Sequence, residues 1–309
     1  MRRRWLAIAV LLACSAFTLA VARSSFSDPT PQRVGSAACK ECHDKQYQQF
    51  AGSAHGRADQ DPSRVAVEGG CESCHGPGSL HVQADGDENA PGFKTIKRYS
   101  KLSAQEANAA CLNCHKGGDQ FYWEHSAHAR KNVACVSCHD IHNPQDAGHS
   151  KLLSKPTTTA LCVTCHKANH FALGRTAHMP VTEGEMTCAD CHSPHGSAGP
   201  KQIRALSVNE LCLSCHADKR GPFLWEHSPV RENCLNCHEA HGSNNDKVLA
   251  AKRPYLCQRC HVATRHPSTM YDLPDLANSS SNRSLNRSCT NCHPQIHGSN
   301  HPSGKYFTR

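Results

Sequence analysis

Ten copies of one five-residue pattern, Cys-x-x-Cys-His, constrain what this chain can fold into more than any other feature. The copies pair Cys39 with Cys42, Cys71 with Cys74, Cys111 with Cys114, Cys135 with Cys138, Cys162 with Cys165, Cys188 with Cys191, Cys212 with Cys215, Cys234 with Cys237, Cys257 with Cys260 and Cys289 with Cys292. They close on His43, His75, His115, His139, His166, His192, His216, His238, His261 and His293. With 21 cysteines and 24 histidines in 309 residues, chance would supply about 0.1 copies. Two cysteines three apart on one helical turn can each form a thioether to one porphyrin. The histidine that follows then lies under the ring and ligates iron, so the pattern predicts ten covalently bound haem c groups. Disulfide frameworks and zinc ribbons use paired cysteines but place no demand on a histidine in that adjacent position. A thioredoxin-like redox pair occurs once per domain.

The prediction also resolves a shortage of core. Hydrophobic residues make up 38% of the chain, cysteines included, and aromatics 6%, against roughly 45–50% apolar residues in ordinary domains. Mean hydropathy is −0.59. Ordering the backbone costs about 1–2 kcal/mol per residue, which so little aliphatic surface does not offset. One porphyrin for roughly every 29 residues supplies the missing apolar bulk. The expected fold class is therefore a multihaem cytochrome c: mostly irregular, with short α-helices, essentially no sheet and a haem-filled core, drawn out as an elongated rod. Ser103 reads as the N-cap of a helix leading into Cys111, and Ser207, with Glu210 at N3, as that of a helix leading into Cys212. Residues 85–92 and 278–287 read as exposed loops. The formal charge of +8 falls to about +5 without Arg2, Arg3 and Arg4, and propionates bring it to about −5 with ten ferric haems. The basic excess is thus propionate compensation, and no nucleic acid is expected as a partner.

The first 22 residues read as a secretory signal peptide, with Arg2 to Arg4 as its basic start and Ala20-Val21-Ala22 as its cleavage signal. Cleavage there discards Cys14; the alternative is lipidation at Cys14, which follows Leu11-Leu12-Ala13. Residues 23–38 form a lead-in. An exported protein follows, with catalytic residues nowhere in evidence.

Fourteen histidines lie outside the motifs, and ten irons each need a second axial ligand if no face is to stay open. The chain divides into five dihaem modules, 39–81, 111–142, 162–195, 212–241 and 257–301, within a single decahaem domain 39–309. Each carries a linker histidine between its motifs (His55, His128, His178, His227, His266) and a trailing one after the second (His81, His142, His195, His241, His297). These ten are the expected distal ligands. A histidine three residues beyond its own proximal ligand cannot reach the opposite face of the same ring, so the trailing histidines should serve a neighbouring haem. In module two, His125 competes with His128, and the spacing to Cys135 favours His128. His149, His170 and His301 are surplus, with His170 the rival to His178. Module steps of 72, 51, 50 and 45 residues between first cysteines indicate duplication with drift.

Beyond the haem count, Lys219-Arg220-Gly221-Pro222-Phe223-Leu224-Trp225-Glu226-His227-Ser228-Pro229-Val230 and the tail Gln295-Ile296-His297-Gly298-Ser299-Asn300-His301-Pro302-Ser303-Gly304-Lys305 resemble the periplasmic decahaem cytochromes of the MtrA/DmsE type. That resemblance extends from about residue 37 to the carboxyl end. It implies bis-histidine ligation throughout, a rod inserted in an outer-membrane β-barrel porin, and electron exchange with periplasmic or inner-membrane cytochromes. On the outer side it implies an extracellular cytochrome, a reductase or a mineral as partner. The expected function is an electron wire between periplasm and outer-membrane surface, an electron carrier and not an enzyme. Its rivals are an oxidoreductase with one five-coordinate haem and a freely diffusing periplasmic shuttle.

Overall fold

The computed structural model describes residues 30–61, 69–146, 148, 151–261 and 288–309. The expected signal peptide, Cys14, His149, His266 and the expected loop 278–287 lie outside the described residues. The chain divides into two compact units, one ending at Arg98 and one running from Tyr99 to Arg309.

Among the described residues every regular element is a short helix. The longest is Ala104–Leu112, nine residues. Ser103 caps it through a reciprocal pair of bonds: its hydroxyl accepts from the Glu106 N–H at 3.3 Å, and Glu106 accepts from the Ser103 N–H at 2.9 Å. Ser207 and Glu210 repeat the arrangement before Val208–Leu213. Pairing between extended segments is confined to isolated bridges. No helix among the described residues is long and apolar enough to cross a membrane.

In the first unit a single carboxylate organises the chain. Glu72, between two motif cysteines and 3% exposed, accepts hydrogen bonds from the backbone N–H groups of Val34, Gly35 and Gly78 at 2.7–3.1 Å. The segments before the first motif and after the second are thereby tied to one side chain.

In the second unit the paired motifs take two local forms. Cys111, Cys162, Cys212 and Cys257 sit near the ends of the helices Ala104–Leu112, Thr158–Cys162, Val208–Leu213 and Tyr255–Gln258. Cys135, Cys234 and Cys289 open single 3-10 turns, and Cys188 a four-residue helix. Both forms end alike: the histidine N–H donates to the carbonyl of the first cysteine at 2.9–3.1 Å in the nine motifs other than Cys71–His75, itself a continuous helix. One helical turn therefore places both sulfurs and the imidazole on one side, as the spacing requires.

The buried apolar side chains are few and spread along the chain: Phe50, Ala107, Trp123, Leu152, Leu153, Leu173, Ile203 and Leu249. Large apolar side chains such as Phe121, Phe171, Leu206 and Tyr255 are more than 60% exposed on the polypeptide. Side chains alone close no core, as the composition predicts.

Candidate haem-binding sites

Each module brings the first cysteines of its two motifs together. Cys39 meets Cys71, Cys111 meets Cys135, Cys162 meets Cys188, Cys212 meets Cys234 and Cys257 meets Cys289, all through side-chain contact. Burial pushes the Cys39, Cys212 and Cys257 thiols up to about 11, and the facing sulfur adds to it. Between modules of the second unit the second cysteines come within electrostatic reach of one another: Cys138 of Cys165, Cys191 of Cys215 and Cys237 of Cys260. From Cys111 to Cys292, consecutive motifs are thus neighbours without a break, alternately at their first and second sulfurs.

The histidines meet across these motifs. Six pairs of rings have centroids 6.0–6.4 Å apart: His43 with His81, His128 with His166, His139 with His195, His192 with His241, His227 with His261, and His238 with His297. Every pair joins one motif histidine to one linker or trailing histidine. Five are near parallel, at 15–25°, and His128–His166 is turned by 68°. Metal–nitrogen bonds of about 2 Å on both sides, plus the depth of each ring, would set trans imidazole centroids roughly 6 Å apart. The donor set therefore fits a bis-histidine iron.

Ring orientation fits as well. The Nδ1 of every second-motif histidine faces a backbone carbonyl downstream: His75 to Lys97, His139 to Lys151, His192 to Lys201, His238 to Lys247 and His293 to Tyr306, at 2.5–3.1 Å. His81 and His128 do the same, to Phe93 and Pro194 at 2.8 and 2.7 Å. A carbonyl only accepts, so Nδ1 holds the proton and Nε2 keeps its lone pair for a metal. Burial lowers the pKa of His195, His227, His241 and His297. The facing motif histidine adds to the effect in each case, after Lys219 for His297. Neutral imidazole is the form that ligates.

A repeated His-Gly-Ser corner explains how a trailing histidine reaches the preceding module. After His241, the Gly242 Cα comes so near the Ala172 carbonyl that an added Cβ would stand 2.1 Å from the oxygen. Ser243 then pairs with Ala177 through two backbone bonds of 2.7 and 2.9 Å. Gly298 packs against the Phe223 ring, with Ser299 bridged to Trp225, and Gly196 against the Tyr122 carbonyl. Each corner rests on the linker one module upstream and swings its histidine over that module's second motif. Sequence reasoning gave the neighbour rule but missed these glycines, although the His-Gly-Ser repeat was visible. His81 is the variant: it faces His43 of its own module.

The remaining predicted ligands are placed less completely. His178 donates from Nδ1 to the Arg175 carbonyl at 2.8 Å, while its Nε2 meets Glu183 at 2.9 Å and Thr182 at 3.2 Å. It lines, with His216, a continuous cavity of about 2760 Å³ that touches the motifs at Cys212, Cys234, Cys257 and Cys289. That far exceeds the roughly 300–1,000 Å³ of a small-molecule pocket. His55 lies in the helix Ala54–Asp59, and the His142 N–H bonds the Asp140 carboxylate. Of the surplus histidines, His125 and His170 are exposed, and the His301 Nδ1 accepts from the Ser303 N–H.

Comparison with known proteins agrees with this chemistry. Residues 178–221 and 227–266 match the doubled CXXCH motif family. Residues 71–165 match the NrfB-like cytochrome c-type proteins, and residues 38–67 the cytochrome c554 and c-prime family. Multiheme cytochrome MtrA of Shewanella baltica (strain OS185) is 39% identical over 294 residues, spanning 92% of this chain and 84% of that protein. The chain is a member of the MtrA family of multihaem c-type cytochromes. Cytochrome c-type protein NrfB of Escherichia coli O6:H1 is also similar, 30% identical over 141 residues, or 44% of this chain and 68% of that protein. The short-helical fold built on paired motifs, without sheet among the described residues, fits this family membership. That membership carries a role in electron transport through haem c, without conversion of a substrate.

Proposed function

We propose that this cytochrome binds ten haem c groups, one at each motif, and conducts electrons between the periplasm and the outer-membrane surface as the cytochrome of a porin–cytochrome complex. The observation that carries the reading is the set of six imidazole pairs at 6.0–6.4 Å. Ten thioether-bound haems, each with its motif histidine as proximal ligand, would use His81, His128, His195, His227, His241 and His297 as distal ligands, a choice the ring pairs support. His178 serves His216, whose cavity it shares, and His55, His142 and His266 complete the set. The five dihaem modules are supported by the meeting of first cysteines.

When bound, haem supplies one-electron iron chemistry. The protein's own part is positional. Imidazoles on both sides would deny a reactant access to iron, the carbonyls at Nδ1 hold the histidine rings in orientation, and the succession of motifs from Cys111 to Cys292 would keep neighbouring haems close enough for electrons to hop. The link to a barrel partner and to extracellular acceptors or donors rests on family membership.

The mature holoprotein tests this directly. Pyridine haemochrome assay and intact mass should return ten haems per chain, and the ferric EPR spectrum should be low-spin throughout with no carbon monoxide adduct on reduction. A stoichiometric high-spin signal would instead support a five-coordinate oxidoreductase. Affinity purification from outer membranes should retain a β-barrel protein; recovery only as a free periplasmic protein would support the shuttle.

A further inference from the structure

One position outside the motifs recurs with the modules: the residue three before each module's first cysteine. Before Cys111 it is Asn108, whose Oδ1 accepts from the Cys135 N–H at 2.7 Å while its Nδ2 donates to the Val133 carbonyl at 3.0 Å. Before Cys212 it is Asn209. Its Oδ1 accepts from the Cys234 N–H at 2.8 Å, and its Nδ2 donates to the Val230 and Arg231 carbonyls at 2.9 and 3.0 Å. Before Cys39, the Ser36 hydroxyl accepts from the Cys71 N–H at 3.1 Å. Before Cys162, Thr159 bonds Cys188 through its side chain. Only before Cys257 does the position change, to Pro254, and there Arg253 reaches across to Thr290, next to Cys289, at 2.8 Å.

In three modules the geometry is the same: a polar side chain one helical turn ahead of the first motif accepts from the backbone N–H of the cysteine that opens the second, while Thr159 and Arg253 reach side chains there instead. We propose that these side chains, Asn108 and Asn209 above all, are positioning residues that fix the spacing and tilt of the two haems within a module. Each sulfur would be bonded covalently to a porphyrin edge, so the separation of the two first cysteines would set the approach of two rings. The amide acts on that separation directly. Asn108 is 7% exposed, and a buried bond to a backbone N–H leaves that donor without a partner when the side chain is cut away. The inference rests on haem occupancy of both motifs, as proposed above, and adds which side chains hold the two haems in register.

The test uses the full mature holoprotein with Asn209→Ala, Asn209→Ser and, as an exposed control, Asn89→Ala. Haem count and low-spin EPR report whether ligation survives, independently of the inference. Potentiometric titration reports the mutual influence of neighbouring haems, and rapid-mixing reduction reports electron passage along the chain. The expected result for Asn209→Ala is ten low-spin haems, a narrowed spread of potentials and a several-fold slower passage. Asn209→Ser, with the hydroxyl found before Cys39, should recover most of both, and Asn89→Ala should match the wild type. Ten haems with unchanged titration and rate would overturn the proposal. So would loss of a haem from Asn209→Ala, which would make Asn209 a residue of haem attachment, or a serine variant indistinguishable from alanine. Fewer than ten haems in the wild type would fail the earlier reading instead.

Discussion

Gly242→Ala tests how the modules are joined. Gly242 has φ +137°, and an alanine Cβ there would meet the Ala172 carbonyl oxygen at 2.1 Å. Ordinary contact begins at 3.4 Å, so the corner must retreat by about 1.3 Å. Forcing a residue with a Cβ into this conformation costs about 1–3 kcal/mol. Losing the two bonds between Ser243 and Ala177 costs about 0.5–1.5 kcal/mol each, for a total of about 2–6 kcal/mol. The retreat moves His241, the preceding residue, away from His192, whose ring now lies 6.0 Å off. A metal–nitrogen bond of about 2 Å does not survive a displacement of that size. The variant should therefore carry ten haems of which one is five-coordinate, with one high-spin ferric signal and one carbon monoxide bound per chain on reduction. Gly117→Ala is the control, since a Cβ at Gly117 meets nothing within 4 Å and its φ is −121°. A Gly242→Ala protein with every haem low-spin and no carbon monoxide uptake would refute the argument that this corner delivers His241 to its iron.

Three further outcomes follow from named contacts. His128→Ala should expose one haem to carbon monoxide, while His125→Ala and His301→Ala should leave the spectrum unchanged; a high-spin signal in either of the latter reverses the ligand assignment. Glu72→Ala should destabilise the amino-terminal unit by about 2–4 kcal/mol in thermal unfolding, because it strips partners from three backbone N–H groups that burial keeps from water. Burial alone would raise the Glu72 pKa, but bonds from Gly35, Val34 and Gly78 outweigh it and hold the carboxyl below its usual 4.5. A carboxyl that releases its proton more readily when folded contributes stability above pH 4.5 that fades as pH falls below it, and Glu72→Gln should flatten that acid limb. Ser103→Ala removes a cap and should cost about 1 kcal/mol of stability, read as a lower denaturation midpoint with haem content intact.

Much of this protein is local chemistry and so was legible in its residues. A thioether pair with an adjacent histidine is a matter of one helical turn, and all ten motifs adopt it. The caps at Ser103 and Ser207 depend on a residue three positions away, and they form as the Ser-x-x-Glu spacing predicts. The scarcity of apolar side chains foretold that they would close no core of their own, and the sparse helical signal foretold short helices. Even the expectation that a trailing histidine reaches past its own motif was available, because three residues are too few to cross a porphyrin, and His81, His195, His241 and His297 each pair with a histidine of another motif.

Which motif it reaches was not available. His241 faces His192, 49 positions upstream, because Gly242 lets two backbones approach and Ser243 pairs with Ala177; neither contact leaves a trace in periodicity or composition. The carbonyl that orients each second-motif histidine likewise lies nine to 22 residues away, and every residue offers the same oxygen to a sequence reader. The asparagines that clamp the motifs look like ordinary helix polar positions until the chain folds back on them. Ligand identity is written in side-chain type, which sequence records. Ligand pairing is set by close backbone approach between distant segments, and only the tertiary structure determines that.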